Sequence, residues 1–306
     1  MGRVPAVAAT EDRRRLGTSD LMVGPIAYGC WRLAEGDVAS ASEKLLAAVA
    51  CGWTLIDTAD IYGWNGSTGF GDAERILGEV LAAEPGLRER IVLATKGGIR
   101  PGVPYDWSAD YLRTACEDSL RRLGVDVIDL YQLHRPDVLT PPEQTAGALM
   151  DLVERGLVRE LGVSNMTPSQ VDLLQRFLDR PLVTTQPELS IWHSDPVRDG
   201  TLDQCLADRL TPLAWSPLGG GRVHGARPDG GSEGVTVELA RIAADHDVDP
   251  SSVALAFVLR HPSGPVPILG TQQVSRIRAA TEALSIELTR TEWYTLYQAG
   301  TGERLP

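Results

Sequence analysis

Lysine is almost missing from this chain. Of 306 residues only Lys44 and Lys96 carry an ammonium, whereas Lys and Arg together number 29, so nearly all positive charge sits on arginine. A basic surplus is missing as well. The 41 acidic residues leave a formal net charge of −12 and a pI near 4.9, which excludes broad attraction to nucleic acid or anionic lipid and requires any anion to be bound locally. No apolar run approaches the roughly 18 residues of a membrane span. The segment "MGRVPAVAATEDRRR" lacks the apolar region of a secretory signal, and Arg13-Arg14-Arg15 runs into "LGTSD" rather than a twin-arginine context, so a cytoplasmic protein is expected. The four cysteines, Cys30, Cys51, Cys116 and Cys205, form no CxxC pair. Scattered reduced thiols are therefore expected rather than a disulfide framework or a zinc site.

What is present is an ordinary soluble composition, 43% hydrophobic and 23% charged, in which short apolar or β-branched runs alternate with amphipathic stretches. The runs are "PIAYG", "TLIDTA", "IVLATK", "VIDLYQLH", "VRELGVS", "LVTTQPE", "TPLAWSPL" and "PVPILG". Helical patterns begin near Ser42, Asp72, Ser108, Pro142, Pro168 and Thr201, and span Val237–His246, Ser251–Arg260 and Val274–Ala283. Eight such units in one chain of this length predict a single-domain (β/α)8 TIM barrel over residues 1–306 more naturally than a doubly wound sheet. "RRLGTSDLMVG" reads as a β-hairpin capping the barrel bottom, preceded by a loose arm over about residues 1–13. "GGIRPGVPYDW" and "LGGGRVHGARPDGGSEG" follow strands and read as long loops on the functional face.

Asp57 closes the second strand, Tyr62 sits in the loop after it, Lys96 closes the third and His134 the fourth. In a barrel these positions converge on one mouth, so acid, phenol, ammonium and imidazole form a candidate acid–base cluster. Each alone has an ordinary explanation as cap, packing or turn residue. Asp60 reads as turn-stabilising, and Lys44, in the helical pattern "SASEKLLAAVACG", as a solvated helix charge. No HxxxH or second His/carboxylate cluster suggests a metal.

The blocks "LIDTADIYG", "ATKGG", "LYQLHRPD", "GVSN" and "LAWSPLGGGR", in this order, resemble the signature blocks of the aldo-keto reductase family. "DGTLDQC" with "AWSPLGGGRV" is similar to a bacterial oxidoreductase subgroup. The resemblance implies a barrel enzyme that reduces an aldehyde or ketone with NADP(H), with Asp57, Tyr62, Lys96 and His134 as its catalytic tetrad. Carbonyl reduction by hydride builds negative charge on oxygen, which a proton donor must meet. Tyr62 suits that role; Lys96 would bring the phenol's pKa down, Asp57 would hold Lys96, and His134 would orient the carbonyl.

By the same resemblance Ser164, Asn165 and Gln186 are expected at the nicotinamide carboxamide and Trp215 stacked on the ring. Ser216, Leu218, Gly220 and Arg222 form a glycine-rich loop toward the pyrophosphate. Thr271 and Arg276 are in register with 2′-phosphate contacts, with Gln272 and Gln273 as neutral partners. Gly270 stands where many relatives have lysine, and Ala279-Ala280 replace a Glu-Asn pair, so NADP(H) is expected with NAD(H) possible. Trp31, Trp64, Trp107 and Trp192 are expected to wall a pocket for a sugar-like, cyclic or aromatic small-molecule carbonyl. The short ending "GTGERLP" points to an open pocket. A monomer or small homo-oligomer fits this reading; an NAD-preferring sugar or alcohol dehydrogenase, or a cofactor-sensing regulatory subunit on the same scaffold, are the alternatives.

Overall fold

Eight parallel strands close on one another without an edge. In the computed structural model, which describes residues 13–225 and 233–306, the strands in chain order are β1 (Arg14–Arg15), β2 (Met22–Val23), β3 (Ala27–Gly29), β4 (Leu55–Asp57), β5 (Val92–Gly97), β6 (Ile99–Arg100), β7 (Val103–Tyr105), β8 (Ile128–Leu133), β9 (Val158–Ser164), β10 (Thr184–Gln186), β11 (Thr211–Ala214) and β12 (Val266–Leu269). The barrel runs β3-β4-β5-β8-β9-β10-β11-β12 and back to β3. It is the (β/α)8 barrel expected from the alternation. Residues 1–12 of the expected arm and 226–232 of the glycine-rich loop lie outside the described residues.

The hairpin β1/β2 pairs Arg14 with Val23 and seals the lower end. Leu16, Leu21 and Val23 join Ala27, Leu55, Val92, Ala94, Leu130, Val183, Leu213, Val266 and Ile268 in one apolar cluster inside the barrel. The Gly17 N–H donates to Thr211 Oγ1 at 2.7 Å, at the start of β11. A second and larger cluster lies between the strands and the surrounding helices, which places Ile56, Leu93, Tyr131 and Leu133 outward. Inward and outward residues thus alternate along each strand, as the pleat requires.

The helices are α1 (Val38–Ala50), α2 (Asp72–Ala83), α3 (Ala109–Leu123), α4 (Pro142–Glu154), α5 (Pro168–Gln175), α6 (Thr201–Asp208), α7 (Glu233–His246), α8 (Pro250–Leu259), α9 (Val274–Ala279) and α10 (Arg290–Thr301). Their starts follow local capping chemistry. α1 begins four residues before the expected Ser42 because the Asp37 carboxylate accepts from Ser40 N, a stronger start signal than the apolar period. Beyond Ala283 the sequence reading has no element, yet α10 forms there. Its signal is the capping box Thr289/Glu292, and it docks by stacking Trp293 on Phe257 at 4.8 Å between ring centroids. The segment expected as a loop after β5 contains the small antiparallel pair β6/β7.

Candidate active site

The alternation that fills the lower barrel with Leu55, Val92, Ala94 and Leu130 brings chemistry into the next layer up. One pleat higher on the same inward faces stand Asp57, Lys96 and Gln132, with Lys96 directly opposite Gln132 across β5/β8. Gln186 sits opposite Ser164 across β10/β9. His134 follows β8, its N–H bonded to Gly97 O at 2.9 Å. Asp57 and Lys96 are buried, at 2% and 0% exposure.

All three N–H bonds of Lys96 are committed. They reach Asp57 Oδ2 at 2.6 Å, the Thr58 carbonyl at 2.9 Å and the Tyr62 hydroxyl at 3.1 Å. An ammonium only donates, so the Tyr62 oxygen accepts and its own proton is free to go elsewhere. Tyr62 packs edge-on to His134 at 5.7 Å and stacks on Trp31 at 5.9 Å. The four residues expected to converge are therefore together.

Burial and charge set their protonation. Burial disfavours the Lys96 ammonium, but the charge of Asp57 and the Tyr62 contact outweigh it, and its pKa is raised. For Tyr62 burial raises the pKa, Lys96 pulls it down and Asp57 pushes it up; the net direction is upward. The expected lowering by Lys96 is real as a contribution but loses to desolvation. Such a phenol keeps its proton at neutral pH. His134 is driven well below the ordinary imidazole range, first by burial and then by the charges of Lys96 and Arg135, so it stands neutral.

The expected cofactor residues lie on the same end of the barrel. Gln186 turns its amide inward, donating to Asp57 Oδ1 at 3.0 Å and to Gln132 Oε1 at 3.2 Å. Ser164 Oγ donates to the Gln186 carbonyl and accepts from Asn165 Nδ2. Asn165, in the left-handed region at φ 57°, also donates to His134 O and receives Trp215 Nε1 at 3.0 Å. Its side chain thus orients Trp215, over which the Arg135 guanidinium sits 5.7 Å away. Ser216 is left-handed too, at φ 51°, and Gly219, Gly220 and Gly221 all have positive φ. That run of conformations suits a backbone cradle for an anion. Leu218 is partly buried against the core, and Arg222 NH1 donates to Gly219 O.

The loop after β12 is fastened from below. Tyr28 OH donates to Thr271 O, Arg32 to Gly270 O and Lys44 Nζ to Gln272 Oε1 at 2.8 Å. Lys44 is accordingly not the solvated helix charge expected; only 6% exposed, it is a buried tie between α1 and this loop. Arg276 is exposed on α9, and its charge reaches Asp249.

The tryptophans divide. Trp31 is 66% exposed beside Tyr62, and Trp64 is partly exposed. Trp107, expected in the pocket wall, is buried in the core, its indole against Gly98. Trp192 packs its ring on Gly219 and so supports the glycine loop. Asp60 is corrected as well. It is fully buried with neither carboxylate oxygen hydrogen-bonded, and burial followed by the charge of Glu74 pushes its pKa well up.

Sequence reasoning missed Gln132 and Cys30. Gln132 is two residues before His134 and shares its face, a signal the strand alternation contains. Cys30 is buried beside the site, and desolvation followed by Asp57 drives its thiol pKa up, which leaves it unreactive. Among the described residues no group of three or more His, Cys, Asp or Glu could hold a metal ion, and no helix is long and apolar enough to cross a membrane.

Known proteins are similar to this chain over most of its length. The profile described as Aldo/keto reductase family matches residues 25–300. The chain is 52% identical over 296 residues to a Novosphingobium aromaticivorans protein named 6-dehydroglucose reductase, covering 96% of this chain and 97% of that one. It is 40% identical over 305 residues to the 6-dehydroglucose reductase of Agrobacterium fabrum, covering 95% and 99%. Among solved structures it resembles an aldo/keto reductase from Klebsiella pneumoniae in complex with NADP and acetate, with TM-score 0.77, 28% identity and 94% of each chain covered.

Proposed function

This chain belongs to the aldo/keto reductase family, and on that footing we propose that it is an NADPH-dependent reductase of the C6 aldehyde of 6-dehydroglucose or a closely related oxidised sugar. The substrate follows the names of the two similar proteins. One observation carries the chemistry: Lys96 uses its last N–H on the Tyr62 oxygen, leaving the phenolic proton to donate. A bound reduced nicotinamide supplies the hydride. Tyr62 gives its proton to the carbonyl oxygen as the hydride arrives, so that the aldehyde gains both and becomes a primary alcohol. Neutral His134 offers the second hydrogen bond that orients the carbonyl. Trp31, exposed and stacked on Tyr62, offers an apolar face to a sugar ring.

For the cofactor, Gln186 commits its side-chain N–H groups inward and its backbone carbonyl to Ser164, which leaves the side-chain oxygen Oε1 to accept from a carboxamide. The glycine run and left-handed Ser216 fit a pyrophosphate. Arg276, exposed on α9, is the cation we assign to a 2′-phosphate. Gly270 offers no side chain there, which favours NADH as the second reading. In this reading the protein works in the cytoplasm on a small molecule.

The test is direct. The protein is incubated with 6-dehydroglucose and either cofactor, while nicotinamide oxidation and glucose are measured, with 4-nitrobenzaldehyde as a general carbonyl. NADPH consumption matched by glucose is expected. Turnover of the aromatic aldehyde alone would overturn the substrate, and faster turnover with NADH would overturn the cofactor. Tyr62→Phe should lower the rate roughly 100- to 10,000-fold; a rate within tenfold of the parent would remove Tyr62 as donor.

A further inference from the structure

Asp57 has two oxygens and two kinds of neighbour. Oδ2 takes the Lys96 ammonium, whereas Oδ1 takes two amides, Gln186 Nε2 at 3.0 Å and Gln132 Nε2 at 3.2 Å. A carboxylate only accepts, so both amides must turn their NH2 groups toward it. Gln132 is then left facing away with its carbonyl, where Gln186 Nε2 donates at 3.2 Å and Thr184 Oγ1 stands at 3.5 Å. Thr184 and Gln132 are fully buried and Gln186 nearly so. Room for this brace exists because position 162 is glycine. A Cβ there would lie 2.1 Å from Thr184 Oγ1 and 3.1 Å from Gln132 Cγ.

We propose that Gln132 is a positioning residue for the proton donor: its amide fixes Asp57, and through Asp57 the lysine that faces Tyr62. The inference rests on Tyr62 being that donor. The described hydrogen bonds of the Gln132 side chain run to Asp57, Thr184 and Gln186, and not to Tyr62. It acts because the bond it makes ends on a charge, in a layer closed to water, where one donor is worth more than between neutral partners. Its N–H dipole points its positive end into the site. Without it the potential at Tyr62 becomes more negative and the phenol holds its proton more tightly.

Two substitutions test this. Gln132→Leu keeps the approximate volume and removes the donor; Thr184→Val keeps its shape and removes only the brace behind Gln132. Both are measured for the pH dependence of kcat/KM in alcohol oxidation, for kcat in aldehyde reduction, and for NADPH affinity by tryptophan fluorescence. Gln132→Leu should lower kcat roughly 10- to 100-fold and move upward the limb on which alcohol oxidation rises with pH, where the phenol must lose its proton, with NADPH affinity within about twofold. Thr184→Val should move both in the same directions by less. A drop in kcat with an unmoved limb would make Gln132 merely structural and overturn the proposal, as would an unchanged kcat. Should Gln132→Leu not fold, the limb in Thr184→Val decides by itself. An active Tyr62→Phe would instead sink the functional reading, so the two failures are distinguishable.

Discussion

Removing the Lys96 charge separates what the ion pair does for the fold from what it does for the reaction. In Lys96→Met the side chain keeps its length in the core, but Asp57, 2% exposed, loses the ammonium at 2.6 Å and keeps only two neutral amides. Breaking a buried pair from one side costs about 3 to 5 kcal/mol. Against a total stability of about 5 to 15 kcal/mol that is a large fraction. The double variant Lys96→Met/Asp57→Asn removes both charges, and replacing a whole buried pair by neutral groups is near neutral, so most of the loss should return. Activity should not return, because the Tyr62 oxygen has lost its cationic donor in both. Urea unfolding gives the stability of the parent, both single variants and the double, closing a cycle. Aldehyde reduction is assayed on the same four. A double variant as unstable as Lys96→Met, or a single variant costing under about 1 kcal/mol, would refute the reasoning that the pair is held by mutual compensation.

Three further outcomes follow from particular residues. Arg276→Ala should weaken NADPH roughly 10- to 100-fold and leave NADH unchanged, since a charge-assisted contact is worth about 1.5 to 3 kcal/mol; equal losses for both cofactors in a fluorescence titration would show the arginine to be structural. Asp60→Asn should hold or raise the urea midpoint at pH 8, because the raised native pKa of Asp60 means stability falls as pH rises above its unfolded value; a loss above about 1 kcal/mol would contradict a buried neutral carboxyl. His134 has the opposite sign: its lowered pKa means that stability is full above the unfolded imidazole pKa of about 6.5 and declines as pH falls below it. His134→Gln should therefore flatten the urea midpoint between about pH 7 and 5, and an unchanged slope would argue against a neutral native imidazole.

The sequence by itself determined the barrel and the meeting of Asp57, Tyr62, Lys96 and His134 at one mouth, for a physical reason. Strand and helix periods are local, each unit repeats them, and strand ends in this fold share one face, so Asp57, Lys96 and His134 could be placed without knowing a single distance. Capping chemistry at Asp37 and Thr289 is equally local, but the reading by period passed over it, starting the first helix at Ser42 and ending at Ala283. Tertiary structure alone decided which polar residues are wet. Lys44 lies on an amphipathic helix whose period allows either fate, and only the loop after β12 coming down upon it, with Gln272 as acceptor, makes it buried. Trp107 and Asp60 have neighbours from other elements, Asp137, which accepts the Trp107 N–H, and Glu74, whose charge acts on Asp60. The partnership of Gln132 with Asp57, Thr184 and Gln186 joins three strands. It depends on register and on the empty Cβ position at Gly162, and a contact that needs closure of the barrel has no counterpart in any local pattern.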